Sequence, residues 1–194
     1  QELKQHPDIK IIGTHLVFYR EETRAFTDTH PLKHQFSGKS PSYSLPLDDN
    51  SPLILSSACA VISRKEIGST RFDERIKPTF EDAHFMCRYQ MSLDSGMVAC
   101  IPNAYYLYRK RKDKSSTMDR SSFDRRQYNE VLKFGCLDLL EKAEEKFGFV
   151  PKMVQNRVLY HVMWIYRLFV NADSKADAAL GETMQDASII LDRI

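Results

Sequence analysis

The spacing of apolar and polar residues divides the chain into a front part typical of strands and loops and a back part typical of helices. Residues 9–19 are rich in β-branched and aromatic side chains and predict a strand. Residues 53–63 predict a second strand, dense in small side chains, and residues 97–101 and 104–108 predict two short strands separated by a proline. We therefore expect four strands.

One long helix is predicted among these strands, over residues 81–93. Its apolar side chains recur at helical spacing, and Asp94-Ser95-Gly96 ends it. Residues 21–52 contain prolines, a glycine and many hydroxyl side chains, which predicts a long loop with room for a short hairpin. A short helical turn at 64–68 and a loop at 72–78 complete the front part.

Three helices are predicted after residue 121. The first covers residues 123–147, the second starts at Pro151, and the third begins near Ser174. The last apolar pattern stops without a cap, so we expect a fragment of a larger protein. The fold class expected is α/β: a partial, Rossmann-like mixed sheet in residues 1–118, followed by a helical extension in residues 119–194.

Composition adds few constraints. The 194 residues carry a net charge of +2, which predicts no particular partner, and no apolar run reaches the roughly 18–20 residues that cross a bilayer. The four cysteines form no CxxC pair and no zinc-type spacing with histidine. We expect them to be reduced, structural thiols of a cytosolic protein.

An adjacent pair of acids, Glu81-Asp82, opens the predicted long helix. Acids in a first helical turn are stabilised there by the helix dipole, which is a purely structural explanation. In a functional interpretation, the shorter and better fixed Asp82 removes a proton from an acceptor alcohol, while Glu81 orients the substrate. His84 and Ser57 are candidate contacts to that acceptor, although His84 also suits a packing role and the small residues around Ser57 also suit tight sheet packing.

A basic, hydroxyl-rich segment follows the last predicted strand, at residues 108–116. It suits a solvated charged surface, a localisation-type basic patch, nucleic-acid binding, or a clamp for a departing diphosphate. For the clamp, the candidate ligands are Arg109, Arg111, Ser115 and Ser116. In a strand, Tyr106, Tyr108 and Lys110 share one face, and Arg109 and Arg111 share the other, so that only one set can look into a cleft.

The ordered series Phe72 to Phe85, Tyr105 to Arg111 and Ser115-Ser116 resembles the acceptor half of family 2 glycosyltransferases with a GT-A fold. The most similar variety is fused to CDP-glycerol glycerophosphotransferase domains in bacterial wall-polymer synthesis. The resemblance covers roughly residues 10 to 170 and extends to Thr29-His30-Pro31-Leu32, Ser56 to Cys59 and the segment from Pro151. It implies that Asp82 is the catalytic base and that the basic segment faces the nucleotide diphosphate.

The same resemblance implies Mg²⁺ or Mn²⁺ in the parent protein, held by an Asp-x-Asp motif in its donor half. This chain has no Asp-x-Asp, so we expect it to bind no metal by itself. The implied partners are a nucleotide sugar donor and a saccharide or polyol-phosphate acceptor, with no nucleic acid. The implied location is cytoplasmic, including peripheral association with the inner face of the plasma membrane.

The leading hypothesis is that the parent transfers a sugar to a hydroxyl acceptor with inversion, in teichoic acid or polysaccharide synthesis. The helical extension would then brace the catalytic part or dock an adjacent domain. Two alternatives remain open. The chain could be a non-catalytic interaction module that uses its helical tail, or it could bind nucleic acid through residues 109–114.

Overall fold

The chain forms a mixed sheet covered by helices. The computed structural model describes residues 2–170 and 182–194, with side chains described for 2–167 and 185–194. Its strands are β1 Ile9–Arg20, β2 Ala25–Thr27, β3 Ser42–Ser44, β4 Ala60–Ile62 and β5 Met97–Lys110. Its helices are α1 Glu2–Gln5, α2 Glu81–Ser92, α3 Thr117–Arg120, α4 Asp138–Phe147, α5 Lys152–Val170 and α6 Glu182–Asp192.

Shorter helical turns connect these elements. The 3₁₀ turns are Pro31–Phe36, Ser57–Cys59, Arg64–Glu66, Ser121–Phe123 and Arg125–Gln127, and a π-helical segment, Val131–Leu137, leads directly into α4. The predicted start of the last helix near Ser174 lies outside the described residues.

The sheet has the order β2-β1-β5-β3, and β4 also pairs with β1. Strands β1 and β5 run parallel along most of their length, whereas the other pairs are antiparallel. The crossover from β1 to β5 contains α2, as parallel strands require a long connection. The mixed α/β class expected from the sequence is confirmed.

Helix α2 lies between the sheet and the other helices. One side of α2 packs on the sheet through Phe85, Met86 and Tyr89, beside Ile11 and Val98. The opposite side belongs to a core that extends through the π-helical segment, α4, α5 and α6, and its α2 members are Ala83, Cys87 and Met91. A helix that is buried on two sides does not show one single apolar stripe, and α2 accordingly carries apolar residues on both sides together with the buried polar side chains of His84 and Gln90.

The predicted strand over residues 53–63 is wrong except at its end. Only Ala60–Ile62 pairs with β1, while the backbone of the preceding residues binds side chains. The N–H of Leu53 donates to Gln35 Oε1 at 2.6 Å, and Ile54 O accepts from Arg157 Nη1 at 3.0 Å. Because side chains satisfy these backbone groups, no neighbouring strand is needed there.

The two short strands predicted over residues 97–108 are one strand. Its pairing with β1 shifts between Thr14↔Ile101 and His15↔Tyr105, which leaves residues 102–104 as a bulge. Pro102 has no N–H for the ladder, so an interruption at this position has a simple cause. Pro102 therefore marks the position of an interruption correctly, but it does not divide the segment into two strands.

The helix predicted over residues 123–147 begins later than expected. Two 3₁₀ turns come first, and Asp124 caps the second by accepting the N–H of Arg126 at 3.0 Å. The π-helical segment and α4 then complete the predicted range. The predicted second helix is confirmed, since α5 starts directly after Pro151. The division of the chain at residue 118 stays a prediction.

Candidate functional site

A cleft of about 500 Å³ lies at the N-terminal end of α2. Residues Ser56, Glu81 and Asp82 form its acidic end. One long wall comes from the sheet, with Leu16, Phe18, Tyr106, Tyr108 and Lys110, and the facing wall comes from α5, with Tyr160, His161 and Trp164. The front and back parts of the chain therefore build one concavity together.

The carboxylate of Asp82 is held in a fixed orientation. Ser57 Oγ donates to Oδ1 at 2.5 Å, and Ser56 Oγ donates to Oδ2 at 2.9 Å. Both serines belong to the turn before β4, and Ser56 also caps that turn by accepting the N–H of Ala58 at 3.3 Å. Each carboxylate oxygen keeps a further lone pair, so a hydroxyl in the cleft can still donate to Asp82.

Glu81 lies beside Asp82 and is half-buried. Burial raises the pKa of Glu81 above its ordinary value, and the negative charge of Asp82 raises it further. The first turn of α2 thus places two carboxyl groups side by side at this end of the cleft.

Phe80 sets the direction in which α2 begins. Its backbone is in the left-handed region, at φ 76° and ψ −11°, which is unusual for a bulky residue. The ring of Phe80 is buried against Gly135, where an added Cβ would lie 2.7 Å from Phe80 Cδ1. The same ring contacts His161 in a tilted arrangement, at a centroid distance of 4.4 Å. The absence of a side chain at Gly135 leaves the room that this strained position needs.

Arg157 anchors the acidic end of the cleft from below. It is fully buried on α5, and its Nη1 donates to Ile54 O at 3.0 Å and to Ala83 O at 3.2 Å. Its Nη2 donates to Gln90 Oε1 at 3.1 Å. One guanidinium therefore joins the segment before Ser56 and Ser57 to the first turn of α2. This holds the two serines and Asp82 in place relative to one another.

A series of side-chain hydrogen bonds supports the α5 wall. Thr79 Oγ1 donates to Gln127 Oε1 at 2.5 Å, and Gln127 Nε2 lies 3.2 Å from His161 Nε2. Since the amide donates, His161 is a neutral acceptor at that nitrogen. Burial lowers the pKa of His161 to about 3, so this wall of the cleft carries no charge near neutral pH.

The sheet wall presents a lysine instead of the predicted arginines. Lys110 Nζ lies over the rings of Phe18 and Tyr108, at 5.5 and 5.1 Å from their centroids, and 3.9 Å from Asp119 Oδ1. Arg109 lies on the opposite face of β5, where its Nε donates to Glu21 Oε1 at 2.6 Å. Strand alternation separates these two sets, as the sequence indicated.

Several predicted site residues therefore lie elsewhere. Arg109 and Arg111 are not among the residues that line the cleft of Asp82, and their role towards a diphosphate stays a prediction. Ser116 caps α3 by accepting the N–H of Asp119 at 3.2 Å, and the N–H of Ser115 donates to Asp113 at 3.1 Å. These two serines serve the local loop, and the neighbouring Thr117 and Met118 reach the cleft in their place.

His84 is not available to a substrate. Its side chain is fully buried, and its Nε2 lies 2.8 Å from Asp138 Oδ2 in α4. His84 points into the helical core and is not among the residues that line the cleft, so the structure does not support the predicted acceptor contact. Ser57, in contrast, lies at the acidic end and contacts Asp82 directly.

Sequence reasoning missed the α5 wall altogether. Its residues are separated by about 80 positions from Asp82, and only the docking of α5 brings them there. Two signals were present: a polar His161 within an apolar face of α5, and the chain's single tryptophan, Trp164. Alternation along the strand did place Lys110 on one face with Tyr106 and Tyr108, but the arginine face was chosen for the site.

The described residues do not provide a metal site. Among residues 2–170 and 182–194, no group of three or more His, Cys, Asp or Glu side chains is placed to hold an ion. The expected Mg²⁺ or Mn²⁺ of the parent protein therefore has no ligand set here, and we assign no step to it.

No family model matches the chain. It is similar to the minor teichoic acid biosynthesis protein GgaA of Bacillus subtilis (strain 168), with 34% identity over 91 residues. The matched stretch covers 47% of this chain and 20% of that relative, so the similarity concerns one fifth of a longer protein. The chain is thus related to part of a teichoic acid biosynthesis protein. In the described residues, no helix is long and apolar enough to cross a membrane.

Proposed function

We propose that this chain is the acceptor side of a glycosyltransferase in teichoic acid or related wall-polymer synthesis. The whole protein transfers a sugar from a nucleotide-diphosphate donor to a hydroxyl acceptor, with inversion at the anomeric carbon. The observation that carries this proposal is the Asp82 carboxylate, fixed by Ser56 and Ser57 at the acidic end of a cleft large enough for a substrate. The relation to GgaA supports the same process.

In the proposed reaction, an acceptor hydroxyl donates to Asp82, and its proton passes to the carboxylate as its oxygen attacks the anomeric carbon. The bond from that carbon to the diphosphate breaks on the opposite side, and the diphosphate leaves with the electron pair. The serine hydroxyls hold Asp82 in place without taking up the proton, because hydroxyl groups are far weaker bases than a carboxylate.

Glu81 is the second group of this mechanism. Its carboxyl group lies next to Asp82 in the lining of the cleft, where it can hydrogen-bond to the acceptor and orient it. The residues that bind the donor diphosphate and its metal belong, in this proposal, to the part of the protein that this chain does not contain. Cytoplasmic location and peripheral attachment to the inner face of the membrane are part of the proposal.

The test is a transfer assay on the longer protein that contains this chain. Purified protein is incubated with a panel of nucleotide sugars and a wall-polymer acceptor, and nucleoside diphosphate release is measured. We expect release to require the acceptor and to stop when its hydroxyl is replaced by a methyl ether. Acceptor-independent release, or no release with any donor, would refute the proposal. The 194-residue chain alone should give no measurable transfer.

A further inference from the structure

The α5 wall of the cleft is a continuous row of rings that starts next to the acids. Phe80, the residue before Glu81, contacts His161 in a tilted arrangement, with ring centroids 4.4 Å apart and planes inclined by 39°. His161 in turn stacks on Trp164, with centroids 6.0 Å apart and planes inclined by 28°. Tyr160 lines the same wall. The row leads from the proposed catalytic end outward along α5.

Trp164 is a large aromatic residue at the surface of the cleft. It is only partly buried, and it packs at the edge of the helical core while also lining the cleft. A large ring kept at a cleft surface leaves apolar area in contact with water, which costs free energy unless a ligand covers it. Such partly exposed aromatic rings are typical of ligand sites.

The charges of the cleft select against an anionic ligand. Its lining includes two acids, Glu81 and Asp82, against Lys110 as the one lysine or arginine among its described residues. Lys110 is itself 3.9 Å from Asp119, so part of its charge is already compensated. A diphosphate or polyol phosphate near the acids would be repelled, whereas a neutral ligand would not.

We propose that Trp164 and Tyr160 form a subsite for a neutral, cyclic saccharide, the terminal ring of the acceptor. This inference rests on the proposed function and narrows its acceptor. The face of an aromatic ring carries partial negative charge, which attracts the positively polarised C–H bonds on one face of a pyranose. The hydroxyls on the rim of the same sugar then extend along the cleft towards Asp82.

The test uses the single tryptophan of the chain as its own reporter. Fluorescence of the full 194-residue chain is titrated with methyl pyranosides of glucose, galactose, N-acetylglucosamine and N-acetylgalactosamine. We expect saturable quenching or a blue shift with at least one of them. Glycerol 3-phosphate and uridine diphosphate serve as the anionic comparisons and should give no saturable change.

Variants separate the subsite from the chemistry. Tyr160→Ala should weaken saccharide binding about 2–10-fold, the usual worth of one aromatic contact. Tyr166 is an exposed tyrosine of α5 outside the cleft, so Tyr166→Ala is the matched control and should leave saccharide binding unchanged. Asp82→Asn should still bind the sugar, because the subsite lies apart from the proposed base. If the unaltered protein binds a pyranoside but gives no transfer with any donor, the proposed function is refuted and the subsite still stands.

Two results would overturn the subsite. The first is a Trp164 signal that no pyranoside changes. The second is a signal that uridine diphosphate saturates while the pyranosides do not, which would assign the aromatic wall to a nucleotide base.

Discussion

Replacing Arg157 by methionine tests the anchor beneath the acidic end of the cleft. The change keeps most of the buried volume but removes the donors to Ile54 O and Gln90 Oε1, at 3.0 and 3.1 Å. The bond to Ala83 O also disappears, although that carbonyl lies within α2 and has a helical partner. Two buried acceptors are therefore left without their donor.

Each orphaned acceptor costs about 1–3 kcal/mol. Part of that cost is recovered because the buried guanidinium has no carboxylate among its hydrogen-bond partners in the described part of the chain. Burial also lowers the pKa of Arg157. We expect a net loss of about 2–3 kcal/mol in the free energy of unfolding. For a chain of this size, that corresponds to a fall of about 4–12 °C in Tm.

The assay is thermal and urea unfolding of the full chain followed by circular dichroism. Arg157→Lys should recover little of the loss, because an ammonium cannot reproduce the forked contacts. Arg167→Met, at an exposed position of α5, is the matched control and should change stability by less than about 0.5 kcal/mol. If Arg157→Met unfolds at the parent temperature, the anchor described here does not exist.

Two further predictions concern the α5 wall and the start of α2. His161 has a folded-state pKa of about 3, below the roughly 6.5 of an unfolded histidine. Its stabilising contribution is thus complete above about pH 6.5 and declines as the pH falls towards 3, by up to about 1.4 kcal/mol per unit. Urea unfolding at pH 7, 6 and 5 should show this loss of unfolding free energy. The loss should be smaller in His161→Gln and unchanged in the exposed control His34→Gln. A loss in His161→Gln as large as in the unaltered chain would contradict the assignment to His161. Gly135→Ala should cost about 1–3 kcal/mol in the same assay, because the added carbon meets the Phe80 ring at 2.7 Å. Gly38→Ala, in an exposed loop, should cost much less, and equal costs would show that Phe80 moves aside freely.

Strong local patterns in the sequence predicted the elements they belong to. The start of α2 was predictable because the paired acids and the apolar spacing of residues 81–93 agree. The strand at residues 53–63 was not, since its backbone partners are the side chains of Gln35 and Arg157, which are distant in sequence. Apolar, small-residue segments look alike whether they bind a strand or a side chain.

The candidate site was predictable at its acidic end and not on its walls. Alternation along β5 predicted two faces, but the choice of the Lys110 face depends on where α5 docks. His84 was misplaced because α2 is covered on two sides, so a position that looks like surface on an isolated helix faces Asp138 in α4. Long-range packing decided each of these cases.

The central claim is that the Asp82 carboxylate accepts the proton of the acceptor hydroxyl. Its most direct test is the turnover of the intact protein carrying Asp82→Asn, which keeps the shape of the side chain and removes its basicity. We predict a kcat at least about 10²-fold lower, the usual contribution of a positioned base, with little change in the KM of the acceptor. Near-normal kcat in Asp82→Asn would contradict the account.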